Sequence, residues 1–176
     1  MKKLLSTHVV ILLSMNCAFA GNWPAWRGED ASGSTTHGNY PSELNQKKNL
    51  LWKAPLPDKG CSTPVVWEDS VLLTSPINGE DSVLSFSTSG EKNWQTKIGP
   101  ERKGRHLNGS GSNPSVVTDG ENLYALFKSG NLACLNFDGK IIWKKDLSSY
   151  GKDTLYWDFG TSPILTSKHL IVALMR

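Results

Sequence analysis

The residues with the most chemical potential in this 176-residue sequence fall in two polar stretches, Ile98–Ser112 and Leu147–Gly160. The first carries Arg102, Lys103, Arg105 and His106, and the second carries Tyr150, Tyr156, Trp157, Asp158 and Phe159. Cations beside aromatic rings suit recognition, because the rings supply large contact area and the cations attract negative charge. Catalytic motifs are not spelled out. Gly104–Gly109 followed by Ser110 has phosphate-loop spacing, but its Lys is missing and a strand rather than a helix follows. Ser110 between Gly109 and Gly111 has no strand feeding it, as a nucleophile elbow requires. His8, His37, His106 and His169 show no metal-ligand spacing. No catalytic, cofactor-binding or metal-binding residue is therefore assigned. Arg102, Lys103, Arg105, His106, Tyr156, Trp157 and Asp158 form a candidate ligand face, against the plainer reading that the aromatics pack between sheets and the charges are solvated.

Residues 1–20 read as a signal peptide. Lys2-Lys3 precedes the apolar core Val9–Leu13, and Ala18-Phe19-Ala20 is a small-x-small cleavage site before Gly21. The apolar run is too short to span a bilayer, so no transmembrane helix is expected. Ser14-Met15-Asn16 is a poor lead-in for lipidation of Cys17, which favours soluble export to the periplasm or beyond. Without residues 1–20 the chain keeps 17 basic and 16 acidic residues, a net of +1, and offers no electrostatic footprint for nucleic acid. Cys61 and Cys134 form no metal or haem motif and read as two buried or half-buried free thiols.

The elements that must position the two stretches are short strands. Asn113–Asp146 divides into four of them, separated by Asp119-Gly120, Ser129-Gly130 and Asp138-Gly139. Such pairs between β-rich runs mark tight hairpins, whose turns need positive φ. The unit recurs. Pro64, Pro114 and Pro163 open successive copies at spacings of 50 and 49, while Gly90/Gly139 and Trp94/Trp143 are each 49 apart. A period near 50 with four strands per copy predicts an all-β fold, a β-propeller of four-stranded antiparallel blades. The blades are 62–97, 113–146 and an incomplete 161–176, about two and a half in all. A closed propeller needs about four to eight, so the sequence reads as the N-terminal part of a longer protein. Before the blades lies a segment, 21–61, with two tryptophans in NWPAWRG that suit a tail packed onto the domain. Its Asn49–Lys53 resembles the last strand of a blade and is expected to close the final blade. On this plan Pro76–Asp81, Ile98–Ser112 and Leu147–Gly160 emerge on one face, where binding residues of a rigid scaffold collect.

The segments CLNFDGKIIW and SFSTSGEKNW resemble the repeat of pyrroloquinoline-quinone-like (PQQ-like) β-propellers, with a residue fewer than the fullest motif and no Thr before Gly. NWPAWRG, NLLWKAPLPDKGCSTPVV and WDFGTSPIL look like a bacterial exported subgroup of that family. The resemblance implies that Trp52, Trp94 and Trp143, with Gly90 and Gly139, are structural contacts between blades. It also implies two functional classes. One is a non-catalytic scaffold with a protein or other cell-envelope ligand, similar to the propeller lipoprotein of the outer-membrane β-barrel assembly machine. The other is a quinoprotein dehydrogenase using PQQ and calcium. Such enzymes carry a vicinal cysteine pair, absent here, and the first strands CSTPVVW, SNPSVVT and TSPILTS offer hydroxyls and aliphatics but no carboxylate, Glu68 standing only at the turn that follows the first of them. The scaffold without a cofactor is the expected class.

Overall fold

A computed structural model describes residues 21–36, 38, 40–151, 154 and 156–174. The signal-peptide and Cys17 readings, together with His8 and His37, lie outside the described residues. Two four-stranded antiparallel sheets and one hairpin follow in chain order. The first sheet holds β1 (Val65–Trp67), β2 (Ser70–Thr74), β3 (Glu80–Ser87) and β4 (Lys92–Pro100). The second holds β5 (Val117–Thr118), β6 (Asn122–Leu126), β7 (Asn131–Asn136) and β8 (Ile141–Asp146). The hairpin pairs β9 (Ile164–Leu165) with β10 (Leu170–Ile171). Within each sheet every strand pairs with the next in sequence, the meander of a propeller blade. The turns are made as the Asx-Gly pattern dictates. Asn78 and Gly79 both have positive φ (52° and 81°), and Glu68-Asp69 closes the first hairpin with Trp67 opposite Ser70.

Strand alternation sends neighbouring side chains to opposite faces, and here both faces are covered. Leu72 joins Val65, Val83 and Ile98 against Val116, Leu123, Ala125 and Phe127 in the core between the first two blades. Leu73, one residue on, instead joins Ile77, Leu84 and Phe86 under Ala54. Leu126, Leu132, Leu147 and Phe159 make a third layer beneath Leu170, Val172 and Leu174 of the hairpin. A blade alone would leave these surfaces wet, so packing against the next blade is what stabilises each one.

Two tryptophans reach from one layer to the next in the same way. Trp52 Nε1 donates to the Thr88 carbonyl at 2.8 Å, and Trp94 Nε1 donates to the Phe137 carbonyl at 2.7 Å. Their rings lie over Gly90 and Gly139, where a Cβ would come within 2.5 Å of the indole, so only glycine fits. A β-bulge accompanies the motif in both blades: Asn93 before Trp94 and Ile142 before Trp143 are the extra residues on the outer strand. Trp143 lies against Tyr124 of its own blade, with ring centroids 6.2 Å apart, and is 36% exposed. Asn49–Lys53 differs from its expected role. It forms no strand, because its backbone has no ladder partner among the described residues, and Leu51 is exposed. Trp52 fastens it to the first blade, through Thr88 and Phe86. Cys134 is buried in β7, whereas Cys61 is exposed, since it precedes the first strand rather than entering it.

The N-terminal segment is an arm laid along the first strands. Trp23 and Val66 exchange both backbone hydrogen bonds (2.7 and 3.0 Å), and Thr118 N donates to the Pro24 carbonyl at 3.0 Å. One short stretch thus joins β1 to β5 across two blades.

Candidate ligand face

β4 runs on through Ile98–Pro100, with Gly99 and Pro100 paired to the start of β3, so the loop begins later than expected, at Glu101, and spans Glu101–Ser112. It leaves β4 and the segment Leu147–Gly160 leaves β8, so both start from outer strands and return to the inner strand of the next blade. They are fastened together by a buried ion pair. The Lys128 ammonium, in the β6–β7 turn, contacts the Asp158 carboxylate, and both side chains are almost wholly enclosed (1% and 5% exposed). Asp158 also accepts from the backbone N–H of Arg105 (2.7 Å) and His106 (3.0 Å). Lys128 Nζ donates to the Lys103 carbonyl at 3.2 Å, and its backbone N–H donates to the Gly111 carbonyl. Burial alone would raise the Asp158 carboxyl, but the Lys128 bond and the two backbone N–H groups outweigh it and hold the carboxyl below its ordinary value. Gly109 permits this closure, because a Cβ there would meet Asp158 Oδ2 at 2.2 Å.

Asp158 is thereby an anchor, with its charge neutralised inside the face. Its neighbours point outward. Tyr156 and Trp157 are 77% and 64% exposed and meet edge to face with centroids 5.0 Å apart. The His106 ring lies 5.7 Å from that of Trp157, and Leu107 beside it is 78% exposed. Arg102, Lys103 and Arg105 are exposed on the first loop. Lys59 joins them, its Nζ donating to the Leu107 carbonyl at 3.0 Å. Lys59, Leu107 and Lys128 were not singled out from sequence. Lys128 gave no local signal, since a Lys beside a Ser-Gly turn ordinarily reads as solvated.

A second buried carboxylate ties the first two blades at this end. Asp81 Oδ2 accepts from Ser129 Oγ (2.5 Å) and Asn131 Nδ2 (2.8 Å), while Oδ1 has no donor among the described residues. Burial pushes the Asp81 carboxyl up to about 6, helped by the Glu101 charge and opposed by those two hydrogen bonds. Asn131 Nδ2 also donates to the Pro100 carbonyl (3.1 Å), so this cluster fixes the end of β4, where the Glu101–Ser112 loop departs. No group of three or more His, Cys, Asp or Glu side chains placed for a metal occurs among the described residues.

The arm and the third inner strand enclose a cavity of about 930 Å³ between Pro24–Ala31 and Ser162–Leu165. Its walls include Arg27, Glu29 and Asp30 from the arm, together with aliphatic and hydroxyl side chains of the strand.

The family described as outer membrane protein assembly factor BamB matches residues 32–172. No curated protein matches the chain. Among solved structures, a quinohemoprotein alcohol dehydrogenase from Comamonas testosteroni aligns at 20% identity with a TM-score of 0.63, covering 89% of this chain and 23% of its own. BamB from Moraxella catarrhalis aligns at 18% identity with a TM-score of 0.43, covering 64% and 29% respectively. The chain thus spans less than a third of either structure's length. The likeness to the dehydrogenase, at that identity, concerns the fold.

Proposed function

This chain belongs to the family described as outer membrane protein assembly factor BamB, and from that premise we propose that it is an exported, non-catalytic β-propeller scaffold that holds a protein partner through the loops of one face. The observation that carries this reading is the Tyr156–Trp157–His106 ring cluster, exposed yet set on loops pinned from below by Lys128 and Asp158. Exposed aromatics on a pre-set scaffold bind with little loss of conformational freedom. Placement in the periplasm or at the outer membrane follows from the family's printed role and from the leader-like residues 1–20. No helix among the described residues is long and apolar enough to cross a membrane.

The described residues do not by themselves fit PQQ with calcium. The inner strands β1 and β5, which would face such a group, are bonded to the chain's own arm through Trp23 and Pro24. The carboxylates beside the cavity are Glu29 and Asp30 on the arm and Asp158, whose oxygens are already committed to Lys128 and backbone N–H groups. A tricarboxylate held by calcium needs six to eight oxygens converging on the ion, and this set does not supply them.

The test is photo-crosslinking in cells. A photoreactive residue at position 156 should give protein adducts, and one at Glu121, on the opposite rim, should not. Equal adducts from both positions would remove the loop face from consideration.

A further inference from the structure

Resting on the scaffold reading for what the face holds, we infer that the β6–β7 turn is a proton-controlled catch for that face. It pins both loops while Asp81 is protonated and opens more readily once Asp81 is charged. Residues 128–131 make the catch, and between them they bond both loops and Asp81. Lys128 contacts Asp158, and it donates from Nζ to the Lys103 carbonyl and from its backbone N–H to the Gly111 carbonyl. The Gly130 carbonyl accepts from the Leu147 N–H at 2.8 Å, where the second loop leaves β8. Asn131 Nδ2 donates to the Pro100 carbonyl, where the first loop leaves β4. Ser129 Oγ and Asn131 Nδ2 together donate to Asp81 Oδ2.

Asp81 is what makes the catch sensitive to protons. It is wholly buried, and its Oδ1 has no donor among the described residues. In the neutral carboxyl that oxygen carries little charge. In the ionised one it carries charge with neither donor nor water, and water reaches it only if the turn lifts away. Charged groups on the surrounding elements do not replace that water. Glu101, just past β4, is negative and opposes ionisation. Glu80 of β3 and Lys97 of β4 pair with each other, Lys128 is committed to Asp158, and Lys144 of β8 donates to the Ile98 carbonyl. The β2–β3 connection, residues 75–79, carries no charge.

The test is amide hydrogen exchange of the full-length protein, resolved to single residues, from pH 5 to pH 7.5 and corrected for the intrinsic pH dependence of exchange. The reporters are the N–H groups of Arg105 and His106, bonded to Asp158, and of Leu147, bonded to Gly130. Burial holds the Asp81 carboxyl at about 6 in the closed turn, and opening returns it to its ordinary 3.8. Opening therefore becomes about tenfold more frequent across that range. Reporter protection should fall about tenfold in the native chain and stay level in Asp81→Asn; the His106 imidazole is present in both and cancels. The reporters should also exchange faster than Leu84 in the buried middle of β3, which is released only by global unfolding. Should Asp81→Asn not fold, Ser129→Ala, which removes a donor from the charged form, should carry the fall in protection to higher pH. No fall, an equal fall in native and Asp81→Asn chains, reporters as slow as Leu84, or a transition unmoved by Ser129→Ala would each overturn the catch. If any of these appears while photo-crosslinks from position 156 persist, the scaffold reading stands and the catch alone falls. Protection that behaves as expected without crosslinks keeps the catch and removes the partner.

Discussion

Asp81 is a buried carboxylate with one oxygen bonded to Ser129 and Asn131 and the other without a donor among the described residues, and its pKa is pushed up to about 6. Below its ordinary value of 3.8 the group is protonated whether the chain is folded or unfolded. Between there and about 6 the unfolded chain releases the proton while the folded chain keeps it, so folding stability falls as pH rises through that window. The displacement of roughly 2 pKa units corresponds to about 3 kcal/mol, lost by the time the pH reaches neutrality. Asp81→Asn removes the titration and keeps an oxygen that accepts from Ser129 and Asn131. Denaturant unfolding of the full-length protein and the variant, measured from pH 4 to pH 8, isolates the effect as the difference between the two curves. Over that range the difference should move by about 2 kcal/mol in favour of Asn as pH rises, the remainder falling below pH 4. A difference that stays constant within about 0.5 kcal/mol would show that the carboxyl titrates normally and that the enclosure argument is wrong.

Three further outcomes follow from the geometry. Lys128→Met strands the Asp158 carboxylate in an enclosed site and should cost about 3–5 kcal/mol, whereas Lys128→Met with Asp158→Leu should recover most of that; equal losses in single and double variants would show that the ion pair is not the source. Trp94→Ala should cost about 3–5 kcal/mol in a thermal or denaturant melt, because its ring fills the space over Gly139 and its N–H bonds the next blade; an unchanged melt would mean the ring is dispensable. Titration with PQQ and calcium, followed by fluorescence and dye-linked alcohol oxidation, should show neither binding nor turnover, and micromolar binding with turnover would establish the dehydrogenase class instead.

The blades were legible because their determinants are local. A hairpin turn is decided by two or three residues, so Asn78-Gly79, Ser89-Gly90 and Asp138-Gly139 mark strand ends without reference to anything distant. The period of 49 then follows from counting. Asn49–Lys53 misled for the same reason: Trp52-Lys53 carries the local signature of an outer strand, but a strand exists only where another strand accepts its hydrogen bonds. The arm was legible as a packed tail. Its placement along β1 and β5 was not, since the bonds that fix it are made by backbone atoms, which every sequence has.

What sequence reasoning missed at the candidate site lies between blades, and there the repeat itself held an unused signal. Equivalent positions of neighbouring blades stand side by side, so residues about one period apart should touch. Several of the side-chain bonds that join blades obey this. Asn131 to Asp81 spans 50 residues, Ser129 to Asp81 spans 48, Thr63 to Ser115 spans 52 and Ser115 to Ser162 spans 47. Arg105 and His106 reach Asp158 across 53 and 52. A buried acid at one end of β3 could thus have been paired with the polar side chains one period later, Ser129 and Asn131, before any coordinates were known. Lys128 with Asp158 escapes the rule at a separation of 30, because it joins a turn within one blade to the loop leaving that same blade. Repeat arithmetic predicts the seams between blades. It does not predict how a long loop folds back onto its own blade, and the ring cluster of the proposed partner face stands on such a loop.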